Sequence, residues 1–156
     1  MKANDNKILF YRVRDAYGAF SNFAPFPLKL DGLIWPTSEH YFQAQKFLSE
    51  DYRESIRLTK TAIEAAQLGR DRERPIREDW ESIKDSIMYK AVKAKFTQHP
   101  EIAKLLMGTG DALLVEHTER DSYWGDGGNG TGKNKLGEIL MIVRKELRNV
   151  PSNSSS

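Results

Sequence analysis

The chain contains no cysteine. That excludes disulfides, thiol nucleophiles and zinc–thiolate centres in one step. Histidine is nearly as scarce. His40, His99 and His117 stand far apart, with no two at metal-ligand spacing, so no metal site is expected. No apolar run approaches the length of a membrane span, and the opening MKANDNK lacks the apolar stretch of a signal peptide. The expectation is a soluble, cytoplasmic protein with no membrane partner. Neither sign of charge dominates: 24 basic side chains face 22 acidic ones, a net charge of +2. That balance does not demand a nucleic-acid partner. Repeats and domain-splitting linkers are also missing, and 156 residues suit one domain with a proper core.

What is present is concentrated in Asp121–Lys135, DSYWGDGGNGTGKNK. Five glycines fall between Gly125 and Gly132, interleaved with Asp121, Asp126, Tyr123, Trp124 and two lysines. Glycines let backbone approach a ligand closely and aim successive N–H groups at it. Flexible linkers of this length are normally Gly/Ser without aromatics. The composition therefore reads as a binding loop for something flat and something anionic, against a structural loop pinned by Trp124. Gly127-x-x-x-x-Gly132-Lys133 matches most of a nucleotide-binding P-loop, but Asn134 stands where that motif needs Ser or Thr for Mg²⁺. The preceding Thr118–Tyr123 is polar, where a P-loop follows a buried apolar strand. The P-loop reading is set aside.

Local signals lay out the remaining elements. Ile8–Tyr11 and Ala112–Val115 read as strands. Leu28–Leu30 and Leu33–Trp35 flank Asp31-Gly32, a strong hairpin signal. Thr37 or Ser38 caps a helix over Glu39–Leu48, and a second covers Asp51–Leu58. Thr61 and Glu64 form a capping box for a helix over Ala62–Leu68 that stops at Gly69. Asp79 caps a helix through Phe96, with Trp80, Ile83, Ile87, Ala91 and Ala94 as its buried stripe. Pro100 opens another helix ending at Gly108, and Leu136, Ile139, Leu140, Val143 and Leu147 face the core from the last one. The predicted fold class is α+β: a single compact, helix-rich domain over residues 1–148 with a small β-sheet, and a disordered tail over 149–156.

Several residues suit chemistry. Glu39 falls in a first helical turn, where free N–H groups favour its ionised form. Glu39, Gln43 and Lys46 share a helix face, which reads either as a site wall or as a solvated polar face. Trp80 follows the basic run Arg70, Arg72, Arg74 and Arg77. Arginines near a phosphate and an indole near a base suit a nucleotide-like ligand, while core packing suits Trp80 equally well. Asn22, in Phe20-Ser21-Asn22-Phe23, is either a turn amide or a substrate-binding one.

Taken together, these segments resemble a known family. Tyr17–Phe23 (YGAFSNF), Trp35–Phe47 (WPTSEHYFQAQKF), Gly69–Arg72 (GRDR), Trp80 and Tyr123–Gly128 (YWGDGG) are similar to the YbiA/NADAR family, over about Ile8 to Leu147 and with no departure at the motif positions. The resemblance is nearest the YbiA type through SEHYFQAQKF and YWGDGG.

The resemblance implies a compact α-rich YbiA-like fold and N-glycosidase chemistry on ribose-linked substrates. For YbiA-like members it implies hydrolysis of phosphoribosylamino-pyrimidine intermediates of riboflavin biosynthesis, giving ribose 5-phosphate and the pyrimidine, with no metal or organic cofactor. Other members imply two alternatives: removal of ADP-ribose from guanine in nucleotides or nucleic acid, or noncatalytic binding of ADP-ribose or phosphosugars. Breaking a ribosyl C–N bond builds positive charge on the sugar, which a nearby carboxylate stabilises. Glu39 is the first candidate for that carboxylate and Asp126 the second. Trp80 and Trp124 are expected to stack on the base or wall off the sugar, and Asn22 to hold a hydroxyl or base edge. Lys46, Arg70, Arg72 and Lys133, with loop N–H groups such as that of Gly127, are expected to hold the phosphate.

Overall fold

Asp31 and Gly32 both adopt left-handed backbone, with φ of 56° and 80°. Two consecutive residues of that kind give a turn whose twist matches paired strands. The computed structural model describes residues 6–150. In chain order these form β1 (Lys7–Phe10), a 3₁₀ turn (Gly18–Phe20), β2 (Leu28–Leu30), β3 (Leu33–Trp35), α1 (Ser38–Ala44), α2 (Glu50–Arg57), α3 (Ala62–Gly69), α4 (Trp80–Gln98), α5 (Pro100–Met107), β4 (Leu113–Glu116) and α6 (Lys135–Arg148). The fold class is α+β and helix-rich. Of the predicted tail over 149–156, Asn149 caps the last helix and Val150 bonds back to Leu147, while 151–156 lie outside the described residues. Among the described residues no helix is long and apolar enough to cross a membrane.

The chain packs as two units. One is continuous, Ser21–Lys95; the other joins the chain up to Phe20 with the chain from Phe96 onward. In the continuous unit the Asp31-Gly32 turn pairs β2 with β3 antiparallel, Leu28 opposite Trp35. Trp35 meets Tyr41 edge to face at 5.2 Å, and its indole N–H donates to the Leu30 carbonyl at 3.0 Å. Leu28, Trp35, Tyr41, Phe47, Tyr52, Ile56, Ala65 and Ala91 form the core. Thr37 caps α1, its Oγ1 accepting from the His40 N–H at 3.1 Å. The capping box at Thr61 and Glu64 starts α3 as the spacing predicts.

Two expectations are corrected here. The first helix was expected to run to Leu48, but it ends at Ala44. The next carbonyls are taken from outside: Arg77 N–H donates to Lys46 at 2.8 Å, and Arg53 Nε to Phe47 at 2.6 Å. Tighter i to i−3 bonds at Lys46 and Phe47 bend the chain so that Phe47 is buried. In α4 the buried residues are Trp80, Met88, Ala91, Val92, Lys95 and Phe96, while Ile83, Ile87 and Ala94 are only half-buried. The stripe is rotated because one of its members is a lysine, which a hydrophobic pattern cannot register.

In the other unit β1 and β4 pair in parallel, Lys7 opposite Leu113 and Phe10 opposite Glu116. The strands thus form two separate pairs where one small sheet was expected. Helix α6 lies close on β4: a side chain at Gly137 would come within 2.0 Å of the Leu114 carbonyl. Arg144, buried on α6, donates to Thr109 Oγ1 and the Ala112 carbonyl, each at 2.9 Å.

The hairpin turn offers a clean test of backbone strain. Nothing lies within 4 Å of a Cβ built on Gly32, so a substitution there acts through φ alone. Gly32→Val is expected to cost about 1–2 kcal/mol. Thermal unfolding should show a melting temperature lower by several degrees, roughly 2–4 °C per kcal/mol.

Candidate active site

Every residue of α1 is buried, including Ser38, Glu39, His40 and Gln43. Buried polar groups must be paired, and here the pairing builds a site. Glu39 Oε2 accepts from Gln43 Nε2 at 2.6 Å, one helical turn on. The Glu39 N–H donates to the Asn22 carbonyl at 3.1 Å. Ser38 Oγ donates to Asn22 Oδ1 at 2.7 Å, and Asn22 Nδ2 to Met88 Sδ at 3.2 Å. The Asn22 amide therefore serves the turn, holding the start of α1. Lys46 is half-buried and donates to the Gly69 carbonyl at 3.3 Å. Burial pulls its ammonium below the usual lysine value; the Glu39 carboxylate opposes that, and Arg70 and Lys84 reinforce it.

Gln43 is held in place by space as well as by its bond. Its Oε1 is the one buried side-chain polar atom without a hydrogen-bond partner among the described residues. A Cβ on Gly69 would come within 2.0 Å of that atom. The amide faces a glycine because only a glycine leaves it room. With Nε2 toward the Glu39 carboxylate, the carbonyl end must point at Gly69; the reverse orientation would set two acceptors against each other.

Trp80 is buried, its ring 5.1 Å from that of Phe42. Arg70 and Arg72 are exposed at the end of α3 and in the turn after it. Glu39, Asn22, Lys46, Trp80, Arg70 and Arg72 all belong to the Ser21–Lys95 unit.

The glycine-rich loop, with Trp124, Asp126, Gly127 and Lys133, belongs to the other unit. Asp126 organises it. Burial works to raise the Asp126 pKa, but hydrogen bonds from His117, Gly128 and Thr118 outweigh it and hold the carboxyl below its ordinary value. Those bonds measure 2.8 Å from His117 Nδ1, 2.8 Å from the Gly128 N–H and 3.1 Å from the Thr118 N–H. The Asp126 carbonyl also accepts from Gly130 and Gly132. The N–H of Gly127 goes to the Asp121 carbonyl, and those of Lys133, Asn134, Lys135 and Leu136 go to Ser122, Gly125, Tyr123 and Trp124. The expected anion cradle of loop N–H groups is therefore used internally, a third reason against a P-loop. Trp124 is half-buried, edge to face with Tyr123 at 4.8 Å, and the exposed Lys133 lies 6.0 Å from the Tyr123 ring. Sequence reading missed the His117–Asp126 bond, because nine residues and a loop path separate the partners.

The NADAR domain model matches residues 9–148. The N-glycosidase YbiA of Escherichia coli (strain K12) is 59% identical over 143 residues, covering 92% of this chain and 89% of that protein. The chain belongs to the NADAR family. The NMR structure of E. coli YbiA superposes with a TM-score of 0.87 at 58% identity, covering 93% of this chain and 86% of that one. An N-glycosidase of Nostoc punctiforme is 47% identical over 93% of this chain and 95% of its own length. A riboflavin biosynthesis protein of Vibrio vulnificus is 41% identical over 92% of this chain, which spans 39% of that longer protein. The NADAR match takes in both α1 and the glycine-rich loop.

Two outcomes test this geometry. Gly69→Ala is expected to push the Gln43 amide off Glu39 and lower kcat about tenfold or more, since small misplacements of catalytic groups are costly; steady-state kinetics with a melting curve on the same sample check it. Asp126 has a folded pKa below its ordinary 3.8. Its contribution to stability is therefore complete above that value and is lost as pH falls through the lower, folded one. Asp126→Asn should be less stable at neutral pH. Its melting temperature should fall less steeply than the wild type's below about pH 4.

Proposed function

We propose that the chain hydrolyses the N-glycosidic bond of phosphoribosylamino-pyrimidine intermediates of riboflavin biosynthesis, releasing ribose 5-phosphate and the free pyrimidine. At the coarser level the chain is a hydrolase acting on N-glycosyl compounds. Relatives named as N-glycosidases, and one named for riboflavin biosynthesis, support the finer reading.

The observation that carries it is the Glu39 carboxylate, 7% exposed and fixed by Gln43, with the Lys46 ammonium near it and Arg70 near Lys46. As the C–N bond breaks, its electron pair leaves with the nitrogen, and positive charge spreads over the anomeric carbon and ring oxygen. A carboxylate fixed out of water stabilises that charge without reorganising. Water then bonds through oxygen to the anomeric carbon. One of its protons passes to Glu39, the departing nitrogen takes up a proton from solvent, and Glu39 returns its proton to solvent, so sugar and base leave as neutral hydroxyl and amine and the carboxylate is restored. Lys46 and Arg70 take the 5′-phosphate, and the Ser38–Asn22 bond fixes the helix start that carries Glu39.

Glu39→Gln is expected to lower turnover about a hundredfold or more while the protein stays folded. Turnover near wild type would remove Glu39 from the reaction. The substrate is tested by incubating the protein with a panel of N-ribosides, including the phosphoribosylamino-pyrimidines and ADP-ribosylated guanosine, and assaying released base. Release from the pyrimidines is expected. Release only from ADP-ribosylated guanosine, or binding without release, overturns the proposal.

A further inference from the structure

Lys95 is a fully buried lysine, 1% exposed, while among the described residues the other lysines all reach solvent to some degree. Lysine is almost never buried without a reason, because its charge must leave water. Its ammonium donates to the Ser21 carbonyl at 2.8 Å and lies 5.9 Å from the Phe26 ring. Seven residues earlier on α4, Met88 Sδ accepts from Asn22 Nδ2 at 3.2 Å. Residues seven apart are two turns apart on one side of a helix. Helix α4 thus grips two consecutive residues of one loop, one by its backbone carbonyl and the other by its side-chain amide.

Those two residues are also the support of α1. Asn22 accepts the Glu39 N–H through its carbonyl and the Ser38 hydroxyl through its side chain. An unbroken path of hydrogen bonds and one peptide link runs from Lys95 through Ser21 and Asn22 to the backbone of Glu39. We propose that Lys95, with Met88, is a positioning residue for Glu39: the α4 brace fixes the Ser21–Asn22 turn, and the turn fixes where the carboxylate stands. The proposal rests on the catalytic reading of Glu39. Burial draws the Lys95 ammonium down to about 7. A neutral amine still donates to a carbonyl, so the brace holds in either form.

The test is a double-mutant cycle on release of free pyrimidine from phosphoribosylamino-pyrimidine, with a melting curve for each variant. Lys95→Met keeps the side chain's bulk and removes the donor. Met88→Leu keeps volume and removes the sulfur acceptor, so it stays a usable variant should Lys95→Met fail to fold. Lys95→Met is expected to lower kcat about tenfold and Met88→Leu about threefold, with KM nearly unchanged. In the Glu39→Gln background neither should cause a further loss, because a residue acting only through Glu39 has nothing left to position. Unchanged kcat in both single variants, or losses that multiply with that of Glu39→Gln, overturns the proposal. If Lys95→Met does not fold, the Met88→Leu arm decides alone. Failure of the catalytic reading looks different: Glu39→Gln itself then turns over at the wild-type rate.

Discussion

Helix α1 is surrounded. Its seven residues are all buried, and five of them, Ser38, Glu39, His40, Tyr41 and Gln43, carry polar side-chain atoms. A helix buried on all sides is normally apolar on all sides. Here the polar groups are answered partly within the helix and partly from neighbouring segments: Glu39 by Gln43 one turn on, Ser38 by Asn22, and His40 by Thr37 and the Thr59 carbonyl at 3.1 Å. Tyr41 reaches outward to Asp31 at 2.7 Å, tying the helix to the hairpin turn. The pairing requirement, more than the hydrophobic contacts, decides which loops must lie against this helix and in which register.

The same requirement explains what could be read in advance. Features set by a few adjacent residues were legible: the Asp31-Gly32 turn, the capping box at Thr61 and Glu64, the proline start of α5 and the shared face of Glu39 and Gln43. Each follows from backbone rules within one or two turns of chain. Features set by distant partners were not legible. Helix α1 stops early because carbonyls at Lys46 and Phe47 are claimed by Arg77 and Arg53. The buried stripe of α4 includes Lys95 because a carbonyl 74 residues away accepts a hydrogen bond from it. The His117–Asp126 bond was equally hidden. No periodicity registers a lysine as core or a histidine as a loop clasp.

The glycine-rich loop teaches a related lesson. Its composition suggests donors aimed outward, yet its N–H groups are mostly turned inward onto Asp121, Asp126 and their neighbours. Glycines at 127, 128 and 130, with φ of 72°, 87° and 86°, let the backbone fold back on one carboxylate. What such a loop presents to its surroundings is a set of side chains on a rigid frame, Trp124 and Tyr123 among them.

The parallel pair β1–β4 has a consequence for synthesis. Lys7 meets Leu113 only after more than a hundred intervening residues have been made. Ser21–Lys95, by contrast, is a compact unit made of one continuous stretch. Contacts close in sequence form fast and distant ones wait on loop closure. On the ribosome the Glu39 segment can therefore assemble while β1 still lacks its mate. For that interval β1, with Leu9 in it, is an unpaired edge, which makes it one of the last segments of the described chain to be protected.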